Sequence, residues 1–152
     1  MNRSPKNIQA RVEHLAERCR ETGMNVTPQR VAVYRALLES EDHPTPEMLY
    51  QTVSREMPSL SVATIYKTLD ALVSLGLVRT VPVDGDRRRY DANDETHHHL
   101  VCSSCGKVRD YTSVEFDALV PPRRVAGFAP KSVSVTLTGT CDDCNGSGKG
   151  GD

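Results

Sequence analysis

The sequence predicts an α+β protein: an amino-terminal winged helix-turn-helix domain followed by a small α/β domain built round a structural zinc site. Three observations carry that expectation. Stretches with apolar residues at helical spacing fill the chain from Ile8 to Gly76. An alternating stretch follows, with the hairpin signal Asp84-Gly85 and three consecutive arginines. Two C-x-x-C pairs then bracket the remainder.

A chain of 152 residues and 16.7 kDa holds one ordinary domain or two small ones. Apolar residues make up 38% of it and charged residues 26%, enough for a core. No run approaches the roughly 20 apolar residues of a membrane span, and the amino terminus lacks a signal-peptide core. A cytoplasmic protein with no membrane partner is expected. Net charge is −1, but residues 1–90 carry 13 basic against 11 acidic side chains and residues 91–152 carry 6 against 9. Any nucleic-acid surface is therefore local, and Arg87, Arg88 and Arg89 are where it concentrates.

The first helix carries Ile8, Val12, Leu15, Ala16 and Cys19 on one stripe and stops at Gly23. Cys19 falls on that stripe as a small buried hydrophobe. Thr27-Pro28 is an N-cap followed by proline at the first helical position, ahead of Val31, Tyr34, Leu37 and Leu38. Thr45-Pro46 repeats the signal, with Met48, Leu49 and Val53 turned inward and Pro58 beyond the end. Ser61 caps a fourth helix bearing Ile65, Leu69, Leu72 and Val73 and closed by Gly76. The period then changes to two at Leu77, Arg79, Val81 and Val83, and the strand running to Tyr90 completes a basic ribbon. Helices ending in such a ribbon outline a winged helix-turn-helix, with the fourth helix in the major groove and the ribbon on the phosphates.

Domain boundaries follow from these shifts: residues 1–90 form the DNA-binding domain, 91–96 a polar hinge, 97–144 the second domain and 145–152 a flexible Gly-rich tail. The second domain contains a strand at His99–Cys102, a helix over Ser113–Val120 and a strand through Val133, Val135 and Leu137. At about 50 residues it is too small to rely on a core alone, and a structural metal compensates.

Cys102, Cys105, Cys141 and Cys144 have the spacing of two knuckles closing a tetrahedral thiolate cage round Zn(II), and Gly106 suits the positive φ such a turn needs. His97-His98-His99 opens a strand, so His97 and His99 share one face and His98 takes the other. With Asp110 and Asp91 near in sequence they make a nitrogen and oxygen site suited to Mn(II), Fe(II), Zn(II) or Ni(II).

The residues Val26-Thr-Pro-Gln-Arg30, His43-Pro-Thr45, Ser61-Val-Ala-Thr-Ile-Tyr66, Arg89-Tyr-Asp91, His97 through Lys107 and Cys141-Asp-Asp-Cys144 resemble the ferric uptake regulator family. The resemblance runs from about Val12 to Cys144. It implies a homodimeric, metal-activated transcriptional repressor that binds a double-stranded operator, its second domain serving dimerisation. The set His43, Asp91, His97, His99 and Asp110 resembles the regulatory site of the peroxide-sensing members, where Fe(II) or Mn(II) is held and the iron form oxidises histidines; His43 and His97 are the residues so implied. Iron-responsive members usually carry Glu at the position of Asp110. Lys67 departs from the Asn typical of peroxide sensors and the Arg typical of iron sensors, and Asn25 stands where many relatives have a basic residue. Some members hold a third metal with a further carboxy-terminal histidine, and this chain has no histidine after His99.

On the recognition helix, Tyr66 and Ala63 take the base-facing side. Ser61, Thr64 and Lys67 reach phosphates or bases, and Arg87, Arg88 and Arg89 reach the backbone from the wing. An iron- or manganese-responsive uptake regulator without peroxide chemistry is the near alternative. A metal-dependent hydrolase or a thiol oxidoreductase is a different class. The sequence has no H-E-x-x-H helix, nucleophile elbow or phosphate loop, and an enzyme is not expected.

Overall fold

The computed structural model describes residues 3–81, 83, 88–131 and 133–146. The chain divides into two compact units, one ending at Asp94 and the other beginning at Glu95.

The first unit starts with four helices, α1 (Pro5–Glu21), α2 (Pro28–Glu39), α3 (Pro46–Val53) and α4 (Val62–Ser74). Each begins the same way: the hydroxyl of Ser4, Thr27, Thr45 or Ser61 accepts the N–H three residues on, and proline opens the first three helices. The start of α1 at Ser4-Pro5 lies one turn before the apolar stripe that marks it in the sequence. Gly76 ends α4 with φ +72°, which lets Leu77 N–H reach the Leu72 carbonyl at 3.1 Å. Leu15, Cys19, Val33, Leu38, Ile65, Leu69 and Leu72 are fully buried and form one core with Tyr34, Leu49 and Tyr90. Each such side chain contributes about 1.5–3 kcal/mol. Two residues expected to face inward do not: Met48 and Val73 are exposed. Met48 is the neighbour of buried Leu49 on α3, and the 8 residues of that helix are too few for the pattern to separate its faces.

Strands β1 (Arg79–Val81) and β2 (Arg89–Asp91) pair antiparallel, Arg79 opposite Asp91 and Val81 opposite Arg89. The expected Asp84-Gly85 turn and Arg87 lie outside the described residues. The backbone beyond β2 is held by two arginines: Arg11 of α1 donates to the Ala92 carbonyl and Asp94 carboxylate, and Arg79 donates to the Asn93 carbonyl.

The second unit is a three-stranded sheet in the order β4-β3-β5, comprising β3 (His98–Cys102), β4 (Val108–Tyr111) and β5 (Thr136–Gly139). β3 and β4 form an antiparallel hairpin, while β5 returns parallel to β3 with His99 opposite Thr136. The helix expected over Ser113–Val120 is a single turn, α5 (Val114–Asp117), whose Val114 and the following Val120 are exposed. The expected strand through Val133 and Val135 lies further on, because parallel pairing to β3 begins at Thr136. Among the described residues of this unit, apolar burial reduces to Val101, Val108 and Cys102, alongside His97, His98 and His99. Residues 147–152 of the expected flexible tail lie outside the described residues.

Candidate metal centres and nucleic-acid surface

The first knuckle is the turn joining β3 to β4. Gly106, at φ +70°, donates to the Cys102 carbonyl at 2.8 Å, and Cys102 N–H donates to the Lys107 carbonyl at 2.9 Å. The second follows β5, where Cys144 N–H and Asn145 N–H both donate to the Cys141 carbonyl. Parallel pairing of β3 and β5 brings the knuckles together, and all four sulfurs lie within 4.8 Å of one another. The Cys105 and Cys141 sulfurs are 3.7 Å apart. A tetrahedron with Zn–S bonds of about 2.3 Å has S···S edges of about 3.8 Å. All four cysteines are free thiols.

Their protonation fits a cage that needs a cation. The Cys141 N–H, donating to the Cys102 sulfur at 3.3 Å, and the Cys105 N–H together lower the Cys102 thiol to about 6. Side-chain hydrogen bonding to Cys105 and Cys141 pushes Cys144 up to about 12. Clustered thiols resist joint ionisation until a divalent ion supplies the opposing charge.

The second unit also carries a nitrogen and oxygen half-set. His97 precedes β3 and shares a side with His99; their Nε2 atoms are 3.1 Å apart, and His97 Nε2 lies 3.6 Å from Asp110 Oδ1. Asp110 reaches this position because β4 places it opposite His99. His97 Nδ1 is 2.8 Å from the Glu95 carbonyl, which only accepts, so Nδ1 carries a hydrogen and in the neutral ring Nε2 has the lone pair. Two imidazole nitrogens bonded to one ion at about 2.1 Å lie about 3.0–3.4 Å apart. His98 points the other way and both its nitrogens are engaged: Nδ1 accepts from Val135 N–H and Nε2 donates to Asp117, each at 3.1 Å.

The first unit carries His43 and Asp91, both buried, with Nδ1 and Oδ1 4.0 Å apart. His43 lies in the loop between α2 and α3, and Asp91 ends β2. Asp91 Oδ1 accepts from Asn93 N–H at 2.7 Å, and Arg79 approaches Oδ2 at 3.6 Å. β2 holds the His43 loop at two points: Tyr90 N–H donates to the Pro44 carbonyl, and Arg89 Nη1 donates to the His43 carbonyl at 2.9 Å.

That last bond corrects the reading of Arg89 as a phosphate contact. Its side chain is buried and turned toward His43, whereas Arg88 is exposed. On α4, Ala63, Tyr66 and Lys67 are exposed, while Ile65, Thr68, Leu69 and Leu72 face the core. The Ser61 hydroxyl is occupied in capping Thr64 N–H and lies 2.9 Å from the Thr64 hydroxyl. Tyr66 donates to Glu47 Oε1 at 2.7 Å, and that bond raises its phenol above the usual range. The partners taken by Arg89, Arg79 and Glu95 do not follow from sequence pattern alone, whereas the face taken by His98 does. For Arg89 a signal was present: on a strand, Arg89 shares a face with Asp91 and not with Arg88.

A mixed helix-and-sheet chain with a thiolate cage and two carboxylate–imidazole half-sets matches the ferric uptake regulator family over residues 21–138, and the chain belongs to that family. It is 31% identical over 145 residues to the peroxide-responsive repressor PerR of Staphylococcus saprophyticus, covering 95% of this chain and 98% of the relative. Among solved structures, the Campylobacter jejuni peroxide stress regulator is 30% identical with TM-score 0.62, covering 88% of this chain and 98% of that one. A zinc-bound manganese uptake regulator is 32% identical with TM-score 0.65, covering 84% and 98%.

Proposed function

We propose that the protein is a metal-dependent DNA-binding repressor that senses hydrogen peroxide through Fe(II). The observation that carries this is the His97–His99–Asp110 half-set, in which the lone pair of one imidazole nitrogen faces a second imidazole nitrogen 3.1 Å away. Zn(II) in the Cys102, Cys105, Cys141 and Cys144 cage is structural, since a closed tetrahedron offers no position for another ligand. His43 and Asp91 complete the regulatory set with His97, His99 and Asp110. Three imidazoles and two carboxylates suit Fe(II) or Mn(II). Each half-set alone is a weak chelator, so one ion bound by both favours the hinge geometry, across residues 91–96, in which they meet. That differential affinity is the switch.

Residues 1–90 act as a winged helix-turn-helix: α3 and α4 are the helix pair, α4 the reader, and β1 and β2 the ribbon. Ala63, Tyr66 and Lys67 face bases, Ser61 and Thr64 lie at the helix start near phosphate, and Arg88 binds the backbone with Arg87. The second unit dimerises. Supporting this, β5 is an edge strand with all four residues exposed, and Leu119, Val120, Phe128 and Leu137 of the same unit are exposed apolar side chains. Two recognition helices then match a pseudo-palindromic site. The protein is a cytoplasmic regulator and not an enzyme. No helix among the described residues is long and apolar enough to cross a membrane.

Bound Fe(II) supplies redox chemistry toward peroxide that Mn(II) does not. With peroxide as the two-electron oxidant, its O–O bond would break, one oxygen entering an imidazole C–H bond of His43 or His97 and the other leaving as water, so that the ring gains one oxygen and keeps its hydrogens. The modified ring is a poorer ligand and the repressor leaves the operator. The test compares operator binding by Fe(II)- and Mn(II)-loaded protein before and after low peroxide, with peptide mass spectrometry. One added oxygen on a His43 or His97 peptide, tracking DNA release in the Fe(II) form alone, is the expected result. Oxidised cysteines with intact histidines overturn it. An Fe(II) form that stays on DNA selects the second reading, an iron- or manganese-responsive uptake regulator, which the likeness to the manganese uptake regulator supports.

A further inference from the structure

We propose that Arg89 is a positioning residue that sets metal affinity by fixing His43 against Asp91. The proposal rests on reading His43 and Asp91 as metal ligands. Arg89 and Asp91 are two apart on β2 and therefore share a face. That face meets the loop bearing His43. Asp91 lies beside the imidazole, and Arg89 Nη1 donates to the backbone carbonyl of the same residue. One strand thus holds His43 by main chain and side chain at once.

Loops are where a ligand's position is easily lost. His43 lies between α2 and α3 in a short stretch with Pro44 after it. His43 is buried, and the Arg89 guanidinium reaches its carbonyl at 2.9 Å. A charged donor to that carbonyl makes a stronger bond than a neutral one. The Arg89 side chain also packs on Met48, whose sulfur lies 3.6 Å from Nη1. Met48 is the third residue of α3, next to Glu47, which receives the Tyr66 hydroxyl. The same guanidinium that orders a metal ligand therefore touches the helix bonded to the recognition helix.

The test uses full-length, zinc-loaded protein titrated with Mn(II), with free Mn(II) read by electron paramagnetic resonance. Arg89→Met keeps the apolar stem and removes the donors. Arg89→Lys keeps a charged donor, and Arg88→Ala is the exposed control. Partners that orient metal ligands are worth about 10–100-fold in affinity, and Arg89→Met is expected to lose that much with zinc content unchanged. Arg89→Lys recovers most of it and Arg88→Ala binds Mn(II) as the wild type does. Wild-type affinity in Arg89→Met overturns the positioning role while leaving the site intact. Equal loss in the Met and Lys variants assigns the effect to packing and also overturns it. A His99→Ala protein that binds Mn(II) with wild-type affinity overturns the site itself, and this inference with it.

Discussion

Replacing Cys141 by Ser removes one corner of the thiolate cage, and the consequence follows from how little else holds the second unit. Apart from Cys102 of the cage, its buried apolar side chains among the described residues are Val101 and Val108, together worth about 3–6 kcal/mol. Structural zinc supplies about 10–16 kcal/mol of binding energy that is also folding energy. One of four similar bonds carries about a quarter of that, roughly 2.5–4 kcal/mol, so zinc affinity should fall on the order of 10²–10³-fold. The Cys141 N–H bond to the Cys102 sulfur is backbone and survives, so the loss comes from the missing thiolate. A colour-forming chelator should strip zinc from Cys141→Ser at concentrations that leave the wild type loaded. Amide exchange at Val101 and Val108 should then rise toward that of an unfolded chain, while the first unit keeps its protection. A variant that holds one zinc against the chelator with unchanged exchange at those two residues would refute the cage as the support of this unit.

Leu69→Ala empties a fully buried position of α4 and should cost about 2–5 kcal/mol by urea unfolding; a loss under about 1 kcal/mol would mean that the core is not where Leu69 places it. Arg88→Ala should weaken binding to all DNA sequences alike and reduce the salt slope by about 0.9 for each phosphate the side chain no longer neutralises; an unchanged slope moves the ribbon off the backbone. Glu47→Gln should bring the Tyr66 phenol down toward its ordinary value, read by ultraviolet titration against Tyr66→Phe. The sign follows from linkage: a phenol raised by folding stabilises the fold below about 10, its unfolded value, and that contribution disappears as pH rises through the folded one. An unchanged Tyr66 titration in Glu47→Gln would show that the hydroxyl is bonded elsewhere.

Helix starts were legible in the sequence because Ser61, Thr27-Pro28 and Thr45-Pro46 act through bonds spanning three residues. The two cysteine knuckles were legible because each is a local turn of fixed spacing, while their meeting depends on the pairing of β5 with β3. What was not legible depends on distant pairing. β4 has one inward apolar residue, Val108, too few to show alternation, and it becomes a strand by pairing with β3. The position of β5 is likewise set by β3 rather than by Val133 and Val135, which precede it. Arg87, Arg88 and Arg89 read as one basic patch by composition. The pleat divides Arg88 from Arg89, because period two, not charge, decides which of two neighbours faces the loop.

Adjacent imidazoles are a hazard for a protein that must choose among metals, since Cu(II) and Ni(II) bind nitrogen donors more tightly than Mn(II) or Fe(II). A run of three histidines invites capture of the wrong ion by whichever two rings swing together first. Here the middle ring is withdrawn from that competition. The Val135 N–H occupies the His98 lone pair, Asp117 takes its hydrogen, and Phe116 packs edge-on at 5.5 Å. Recruiting His98 would mean breaking both bonds and turning a buried ring through the sheet. The triplet thus offers two ring nitrogens on one side, not three, and a tightly binding contaminant gains no third from His98.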